Sequence, residues 1–563
     1  MTARLAWARW AGLAAALCLL NVALTFHNVW PTPAVRPVPE LSIELTLVLL
    51  AMLGWAAWRG TLPAQLPTAL AAAWLLLAVA RYLEVTAPAL YGRPVNLYWD
   101  LRHVGNVVRM LTAAAGPAAT LAGFAALVAA LALAFAALRL AWRRLTDATA
   151  HAAQRRVLAS LAGVLAAVWL AGIAGHASAP SWLRFSLPVS VTSADQLGLI
   201  ARAFAEAGRA TPAGDAAATS TPQSFEALAG DDVLLVFLES YGSITLSQPA
   251  LAARLAGERE RLAQAIAASG RGSVSATVVA PTFGGSSWLS HLTLLTGRDV
   301  TDPGTYARTM LSSATTLVGD FAGAGYETVA LMPGLRQAWP EGEFYGFDRI
   351  LGAAALDYRG PEFGWWRIPD QFALARLDTE PRHGRPRFVF FPTISSHAPF
   401  RPTPPYQPDW AQLTGPAPFD AGADRALQVA PDWTDLAPAY GDSIAYTLQW
   451  LAGYLETHSA APLTLVVIGD HQPPAAVSGP HSDWTVPVHV ITRRGDILDA
   501  LIDAGLSPGL APPLEPLGSM SLLRPLLASA FSASGAAAAH AVDAPRVDIA
   551  RRADEGAVGE PLP

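Results

Sequence analysis

The sequence has one cysteine, Cys18, and no lysine among its 563 residues. A single thiol excludes a disulfide framework and a cysteine-built zinc site. The missing lysine leaves Arg as the whole basic complement, which reads as compositional bias rather than mechanism. Charge is scarce. Charged residues make up 15% against 52% hydrophobic, and mean hydropathy is +0.32, values that exclude an intrinsically disordered chain and argue against a wholly soluble one. The net charge of −6 conceals an asymmetry: residues 1–180 hold thirteen Arg against five acids, and the remainder carries about −14. The larger part therefore repels phosphate, and with no basic, aromatic-interleaved patch nucleic acid is excluded as a partner. No internal repeat is present. At this length one core is insufficient, and the composition favours a membrane part plus one large domain.

Long apolar runs are what the sequence has in place of charge. Five lie near 10–27, 41–57, 65–81, 110–138 and 157–176, each long enough as a helix to approach or cross a hydrocarbon layer about 30 Å thick. Arg4 and Arg9 precede the first, Arg59 follows the second, and Arg139, Arg143, Arg144, Arg155 and Arg156 fall between the fourth and fifth. The positive-inside rule then places the N-terminus in the cytoplasm and the chain beyond about 177 outside. No small-residue cleavage site follows the first run, so it is expected to be a retained helix. The loop from Arg81 to Arg109, with Tyr91, Trp99, Asp100, Arg102 and His103, reads either as an anchor belt or as a lipid-binding surface. The expected organisation is a five-helix transmembrane domain over 1–180 in the cytoplasmic (inner) membrane, a linker over 181–230, a periplasmic or extracellular domain over 231–532, and a disordered tail over 533–563.

The domain after the linker alternates strand-like and helix-like patterns. Asp232–Leu238 is a continuous apolar run of buried-strand length, and similar runs recur at Ser273–Val279, Thr328–Met332, Phe388–Thr393, Leu463–Ile468 and Val486–Ile491. Between them lie helix-length patterns near 246–269, 287–297, 313–324, 369–377 and 436–457. This alternation predicts an α/β fold, a doubly wound sheet covered on both faces. The Pro-rich stretch 399–435 reads as a long loop insertion.

Chemistry in such sheets collects at the carboxyl ends of strands. There the sequence places Glu239, then Asp470 with His471, and, after Phe-Pro-Thr-Ile-Ser-Ser, His397. Two carboxylates and an imidazole form the oxygen and nitrogen set that suits zinc or manganese. The second run leads through Gly284 and Gly285 to Ser286 and Ser287 at a predicted helix start, where a Ser is either an N-cap or, beside a metal, an activated nucleophile. His481 and His489 are weaker candidates, and Asp370 reads equally as a helix cap or a site residue.

Ser-Trp-Leu-Ser-His-Leu-Thr-Leu-Leu-Thr-Gly at 287–297 resembles the nucleophile helix of the alkaline-phosphatase and sulfatase superfamily, in which Thr, Ser or a modified Cys stands ten residues before the Gly of a Leu-Thr-Gly ending. With the apolar runs ahead of it, the chain is similar to the membrane-anchored branch: lipoteichoic acid synthases and phosphoethanolamine or phosphoglycerol transferases. The resemblance covers roughly 230–505 and implies an alkaline-phosphatase-like fold. It further implies Ser287 as nucleophile and metal ligand, with Glu239, Asp470 and His471 as the other ligands of a divalent Mn or Zn, Mg being a third candidate. His397 resembles a synthase His near the bound phosphate, with catalytic and substrate-binding roles. Trp339 stands in Trp339-Pro340-Glu341 where the synthases have the Trp-x-Arg substrate contact, and His481 would complete a metal site or meet the leaving group.

Family sulfatases mature Cys or Ser to formylglycine through a signal with Pro or Ala at the third position and Arg at the fifth. Here these are Leu289 and His291, so Ser287 is expected to stay a hydroxyl. The implied reaction moves a phosphoryl-linked headgroup of phosphoglycerol or phosphoethanolamine type from a phospholipid donor to an envelope glycan or lipid acceptor through a covalent Ser intermediate. Two rivals stand beside it: a sulfatase-like or phosphodiesterase hydrolase, and a non-catalytic membrane sensor or assembly factor with a relic domain.

Overall fold

The computed structural model describes residues 2–30, 32–91, 95, 104, 105, 108, 112, 115–173, 184–194, 196–198, 224–364, 366–419, 422–479 and 482–532. Most of the expected linker, His481 and the expected tail 533–563 lie outside the described residues. The chain forms two compact units, Met1–Leu90 with Pro94–Gly208, and Arg209–Pro563 with Tyr91–Arg93.

The first unit is helical: α1 Thr2–Thr25, α2 Ile43–Arg59, α3 Leu66–Tyr91, α4 Pro117–Thr149 and α5 Ala152–Ile173. Among the described residues four helices, α1 and α3 to α5, are long and apolar enough to cross a membrane. The second expected span, α2, has 17 residues, about 25 Å of helix at 1.5 Å per residue against a layer of about 30 Å. Apolar side chains face outward: Leu121, Phe124 and Leu133 on α4 are 65–72% exposed, an arrangement costly in water and natural in lipid. Two helices outrun their hydropathy signal. α3 continues past Arg81, which is buried and donates to the Phe26 carbonyl at 3.0 Å, so Arg81 is not a loop residue. α4 likewise carries Arg139, Arg143 and Arg144 within its length, because Arg is a good helix former and hydropathy does not mark where a helix ends.

The second unit is built on an eight-stranded sheet. Its strands are β1 Asp232–Leu238, β2 Gly272–Val279, β3 Glu327–Met332, β4 Arg349–Gly352, β5 Arg387–Pro392, β6 Leu463–Gly469, β7 Thr485–Thr492 and β8 Ser507–Pro508. Their spatial order is β8-β2-β7-β6-β1-β5-β3-β4. β6, β1, β5, β3 and β4 are mutually parallel, whereas β7 runs antiparallel to both β6 and β2, and β8 antiparallel to β2. The sheet is therefore mixed, and Val486–Ile491 does not belong to a parallel array. Among its described residues the segment joining β6 to β7 carries a single four-residue helix, Ala475–Ser478. It returns at the edge it left, since a parallel return needs a crossover.

Side-chain alternation along β1 divides the core. Val233, Leu235 and Phe237 pack with α7 Ser287–Thr296, α10 Gly495–Asp503 and α11 Leu523–Ser532. Leu234, Val236 and Leu238 pack on the opposite face with α6 Ala256–Ala268, α8 Asp370–Asp378 and α9 Ala437–Thr457. This two-sided burial is why the strands read as unbroken apolar runs. The helical stretch expected over 246–269 is broken into Ile244–Ser247, Pro249–Arg254 and α6, the first break falling at Pro249, which has no N–H to continue a helix. The Pro-rich insertion carries short helices Trp410–Leu413 and Gly422–Leu427, and its Leu413, Phe419 and Ala423 form a small core with Phe363 and Ala375.

His489 sits in the middle of β7 opposite Val467, away from the strand ends. Its Nε2 lies 3.2 Å from the Tyr241 hydroxyl and its Nδ1 2.6 Å from Ser275 Oγ. Burial, aided by the Arg259 charge, pushes its pKa down from 6.5 to about 4. The folded state thus prefers neutral imidazole. Its contribution is complete above pH 6.5 and is lost as pH falls from 6.5 to about 4, on the order of 3 kcal/mol by linkage. Denaturant midpoints at pH 7.5 and pH 4.5 should fall less steeply with acid in His489→Gln than in the wild type. A second expectation concerns β6, where a Cβ on Gly469 would lie 1.9 Å from the Tyr241 carbonyl oxygen. That atom is backbone and cannot swing aside, so Gly469→Ala should destabilise by about 3 kcal/mol, read as a lowered Tm.

Candidate metal centre and nucleophile

β1 and β6 pair in parallel with Leu238 opposite Gly469. The next residue of each chain segment, Glu239 and Asp470, therefore emerges at the same edge. With His471 they place one ligand atom each within 4.8 Å of one another, and all three are buried.

Each side chain is held by its surroundings. Asp470 Oδ1 accepts the N–H groups of Ser240 and His471, both at 2.7 Å, while Oδ2 faces His471 Nε2 at 3.5 Å. His471 Nδ1 lies 2.8 Å from the Gln472 carbonyl. A carbonyl can only accept, so Nδ1 carries a proton, and Nε2 is the ring nitrogen that faces the centre. Glu239 Oε1 accepts from Ser240 Oγ at 2.9 Å and lies 3.6 Å from His471 Nε2. Its backbone is fixed on both sides: the Glu239 N–H donates to Thr393 Oγ1 at 3.0 Å, and its carbonyl accepts from Ser396 Oγ at 2.6 Å.

The electrostatics call for a cation. Burial, and next the charge of Asp470, push the Glu239 carboxyl well above the usual carboxylate range. Among the described residues the ion-pair partner of Glu239 and Asp470 is His471. Two buried carboxylates and an imidazole are a donor set that would suit a divalent ion.

Ser287 is the first residue of α7, and the turn before it is unusual. Gly284, Gly285 and Ser286 all have positive φ, at 63°, 145° and 64°. Glycine adopts this freely, while Ser286 does so at a cost. Three bonds lock the turn to the acidic edge: Thr282 Oγ1 to the Gly285 carbonyl at 2.7 Å, the Gly284 N–H to the Gln472 carbonyl at 3.1 Å, and Ser290 Oγ to the Asp470 carbonyl at 2.6 Å. Ser287 Oγ consequently lies 3.3 Å from Glu239 Oε2 and 3.2 Å from His471 Nε2. Ser286 occupies the cap position and makes no side-chain capping bond.

The remaining candidates fall in different places. His397 lies on the loop after β5, one residue beyond Ser396. Burial lowers its pKa against the opposing influence of Asp470, and its Nδ1 lies 2.8 Å from the Ala398 carbonyl. Trp339 stacks on Tyr345 at 5.4 Å and tilts against Phe347 at 6.3 Å. Its ring contacts are with these aromatics rather than with the acidic cluster. Asp370 opens α8 and bonds to the loop carrying His397. His291 faces inward, its ring 4.7 Å from Phe237 and 5.3 Å from Phe390. Sequence reasoning missed Ser240, Thr393, Ser396 and Gln472, whose one signal is adjacency to residues at strand ends.

Comparison with known proteins follows this geometry. Residues 232–488 match the family model described as Sulfatase. A search of curated proteins finds no match. Among solved structures the chain is similar to a protein in the alkaline phosphatase superfamily from Vibrio parahaemolyticus, at 16% identity and a TM-score of 0.30. That match covers 46% of this chain and 59% of the other, less than two thirds of its length. The chain is also similar to the lipoteichoic acid synthase LtaP from Listeria monocytogenes, at 14% identity, a TM-score of 0.33 and 54% and 78% coverage. A third similarity is to the C-terminal periplasmic domain of EcEptC from Escherichia coli, at 14% identity, a TM-score of 0.32 and 51% and 87% coverage. The family match runs from β1 into β7 and contains Glu239, Ser287, His397, Asp470 and His471. Residues 232–488, a little under half of the chain, thus form a domain similar to the Sulfatase family.

Proposed function

We propose that this protein is a membrane-bound, metal-dependent transferase that moves a phosphoryl-linked headgroup from a phospholipid to an envelope acceptor by way of Ser287. The observation that carries the reading is the position of Ser287 Oγ, within 3.3 Å of two groups that suit a divalent ion and at the start of a ten-residue helix. Glu239, Asp470, His471 and Ser287 itself would hold the ion. A bound divalent cation lowers the pKa of a coordinated hydroxyl and offsets charge on the transferred group. The N-terminus of α7 adds unpaired N–H groups and a favourable dipole for phosphoryl oxygens.

Two displacements complete the reaction. In the first, Ser287 Oγ bonds to phosphorus while the bond from phosphorus to the diacylglycerol oxygen breaks, and the serine proton leaves with the alcohol. In the second, an acceptor hydroxyl bonds to phosphorus and Ser287 is released with a proton. His397 suits this step: with Nδ1–H directed to the Ala398 carbonyl and the ring kept neutral by burial, Nε2 is a proton acceptor for the incoming hydroxyl. The helices of the first unit would hold the enzyme in the cytoplasmic membrane with the second unit outside. A lipid donor moves in that plane and cannot leave it cheaply, each buried methylene being worth about 0.8 kcal/mol.

The match to a sulfatase family supports a second reading in which water is the acceptor and the enzyme hydrolyses a phosphodiester or sulfate ester. Purified enzyme assayed on p-nitrophenyl phosphodiester and on p-nitrophenyl sulfate, with and without a phospholipid and an alcohol acceptor, separates the two readings. Rapid turnover without an acceptor favours hydrolysis.

Three outcomes test the site. Ser287→Ala should lose about 10³-fold or more in turnover and should carry no label after incubation with headgroup-labelled phospholipid; labelled Ser287→Ala protein would refute the nucleophile. Exhaustive chelation should abolish turnover, with recovery on adding Mn²⁺ or Zn²⁺. Ser240→Ala, which frees Glu239 Oε1, should weaken metal affinity by about 10–100-fold, measured by calorimetric titration.

A further inference from the structure

We propose that Asp370 and Gln371, the first two residues of α8, are positioning residues that hold the His397 loop from both flanks and set it against Glu239. Both side chains are fully buried, and neither is used by the reaction described above. The Asp370 carboxylate accepts two consecutive backbone N–H groups, Ile394 at 2.9 Å on Oδ1 and Ser395 at 2.8 Å on Oδ2, while its own N–H donates to Ser395 Oγ at 3.1 Å. This is a closed bracket on the loop immediately after β5. The same loop touches Glu239 at two points, through Thr393 Oγ1 and Ser396 Oγ, and the His397 N–H folds back to the Ile394 carbonyl at 3.0 Å.

Gln371 does the same on the far side of His397. Its Nε2 donates to the Gln407 carbonyl at 2.6 Å, and its Oε1 accepts the Gln407 N–H at 3.0 Å. Gln407 belongs to the insertion, which packs on α8 through Ala375. His397 therefore lies between two anchored points, residue 395 and residue 407, both fixed to one rigid helix end. A carboxylate is suited to the first point because it can accept two N–H groups at once, and an amide to the second because it must donate and accept. A helix cap would direct its oxygen to its own helix; Asp370 directs both oxygens to another segment.

The hold on the loop stands on these bonds alone, and its effect on the centre rests on Glu239 being a metal ligand. The test uses the full-length chain in detergent or nanodiscs. Asp370→Asn turns an N–H toward a backbone N–H, so amide exchange of the 393–397 peptide should quicken about tenfold or more, while Gln371→Ala should quicken exchange at Gln407 and leave 394 and 395 protected. Unchanged protection in either variant overturns the bracket. Titration with Zn²⁺ alone should show affinity reduced about tenfold in Asp370→Asn. It should also show non-additivity with Ser396→Ala, because both act on Glu239 through one loop; additive effects overturn the coupling. Should Asp370→Asn not fold, Ser395→Ala removes one bond of the bracket and is expected to move the same exchange and zinc readouts in the same direction; no movement overturns the proposal. A wild-type chain that binds neither Zn²⁺ nor Mn²⁺ refutes the metal centre, and exchange then decides the bracket.

Discussion

The repulsion between two buried carboxylates is the constraint around which the second unit is arranged. Backbone pairing puts Leu238 opposite Gly469, so Glu239 and Asp470 leave their strands side by side in a dry edge. Left alone, such a pair would take up a proton or draw in water. Asp470 Oδ1 accepts two N–H groups, and His471 Nδ1 is directed to the Gln472 carbonyl, which leaves Nε2 facing the carboxylates. Glu239, Asp470 and His471 thereby offer one ligand atom each to a common space, an arrangement that would suit a cation.

The reversed strand contributes to the same edge. Because β7 runs antiparallel, its first residues lie beside the ends of β1 and β6 rather than at the opposite end of the sheet. Asp483, two residues before β7, accepts from Ser243 Oγ at 3.2 Å, from Gln472 Nε2 at 3.2 Å and from the Thr485 N–H at 3.1 Å. One carboxylate thereby joins the turn after β1, the loop after β6 and the start of β7. The glycine turn before α7 is bonded to the Gln472 carbonyl, so the segment bearing Ser287 is referenced to the same framework. The short distances at Ser287 follow from shared backbone anchors, and no single side chain accounts for them.

How far this was legible depends on what kind of information each feature writes into the sequence. β1 and β6 are buried on both faces, and such strands appear as uninterrupted apolar runs whose ends are marked by the first polar residue. That mark is Glu239 in one and Asp470 in the other. Strand direction leaves no comparable trace: Val486–Ile491 looks the same read either way, and only the short return from β6 fixes it. β4 and β8 are four and two residues long, too short for any period. Helix extents in the first unit were hidden because Arg81 is satisfied inside the fold by the Phe26 carbonyl, a tertiary contact that hydropathy cannot register. Ser240, Thr393 and Ser396 act through bonds from small side chains to backbone or carboxylate, and residues of these types are common at turns for unrelated reasons.

The geometry also separates what the centre does from what it does it to. An ion held by two carboxylates and an imidazole beside a serine at a helix start would stabilise any tetrahedral oxyanion centre, phosphorus or sulfur alike. Selection between water and a larger acceptor must come from whatever shapes the space above Ser287. In this chain the segments nearest that task by connection are the His397 loop and the insertion that follows it, and both are fixed to the first turn of α8. Membrane attachment is a separate matter, supported by long apolar helices whose outward faces are unsuited to water. A transferase needs both devices, a tethered position for a lipid substrate and a shaped entry that admits a hydroxyl-bearing acceptor; a soluble hydrolase needs neither.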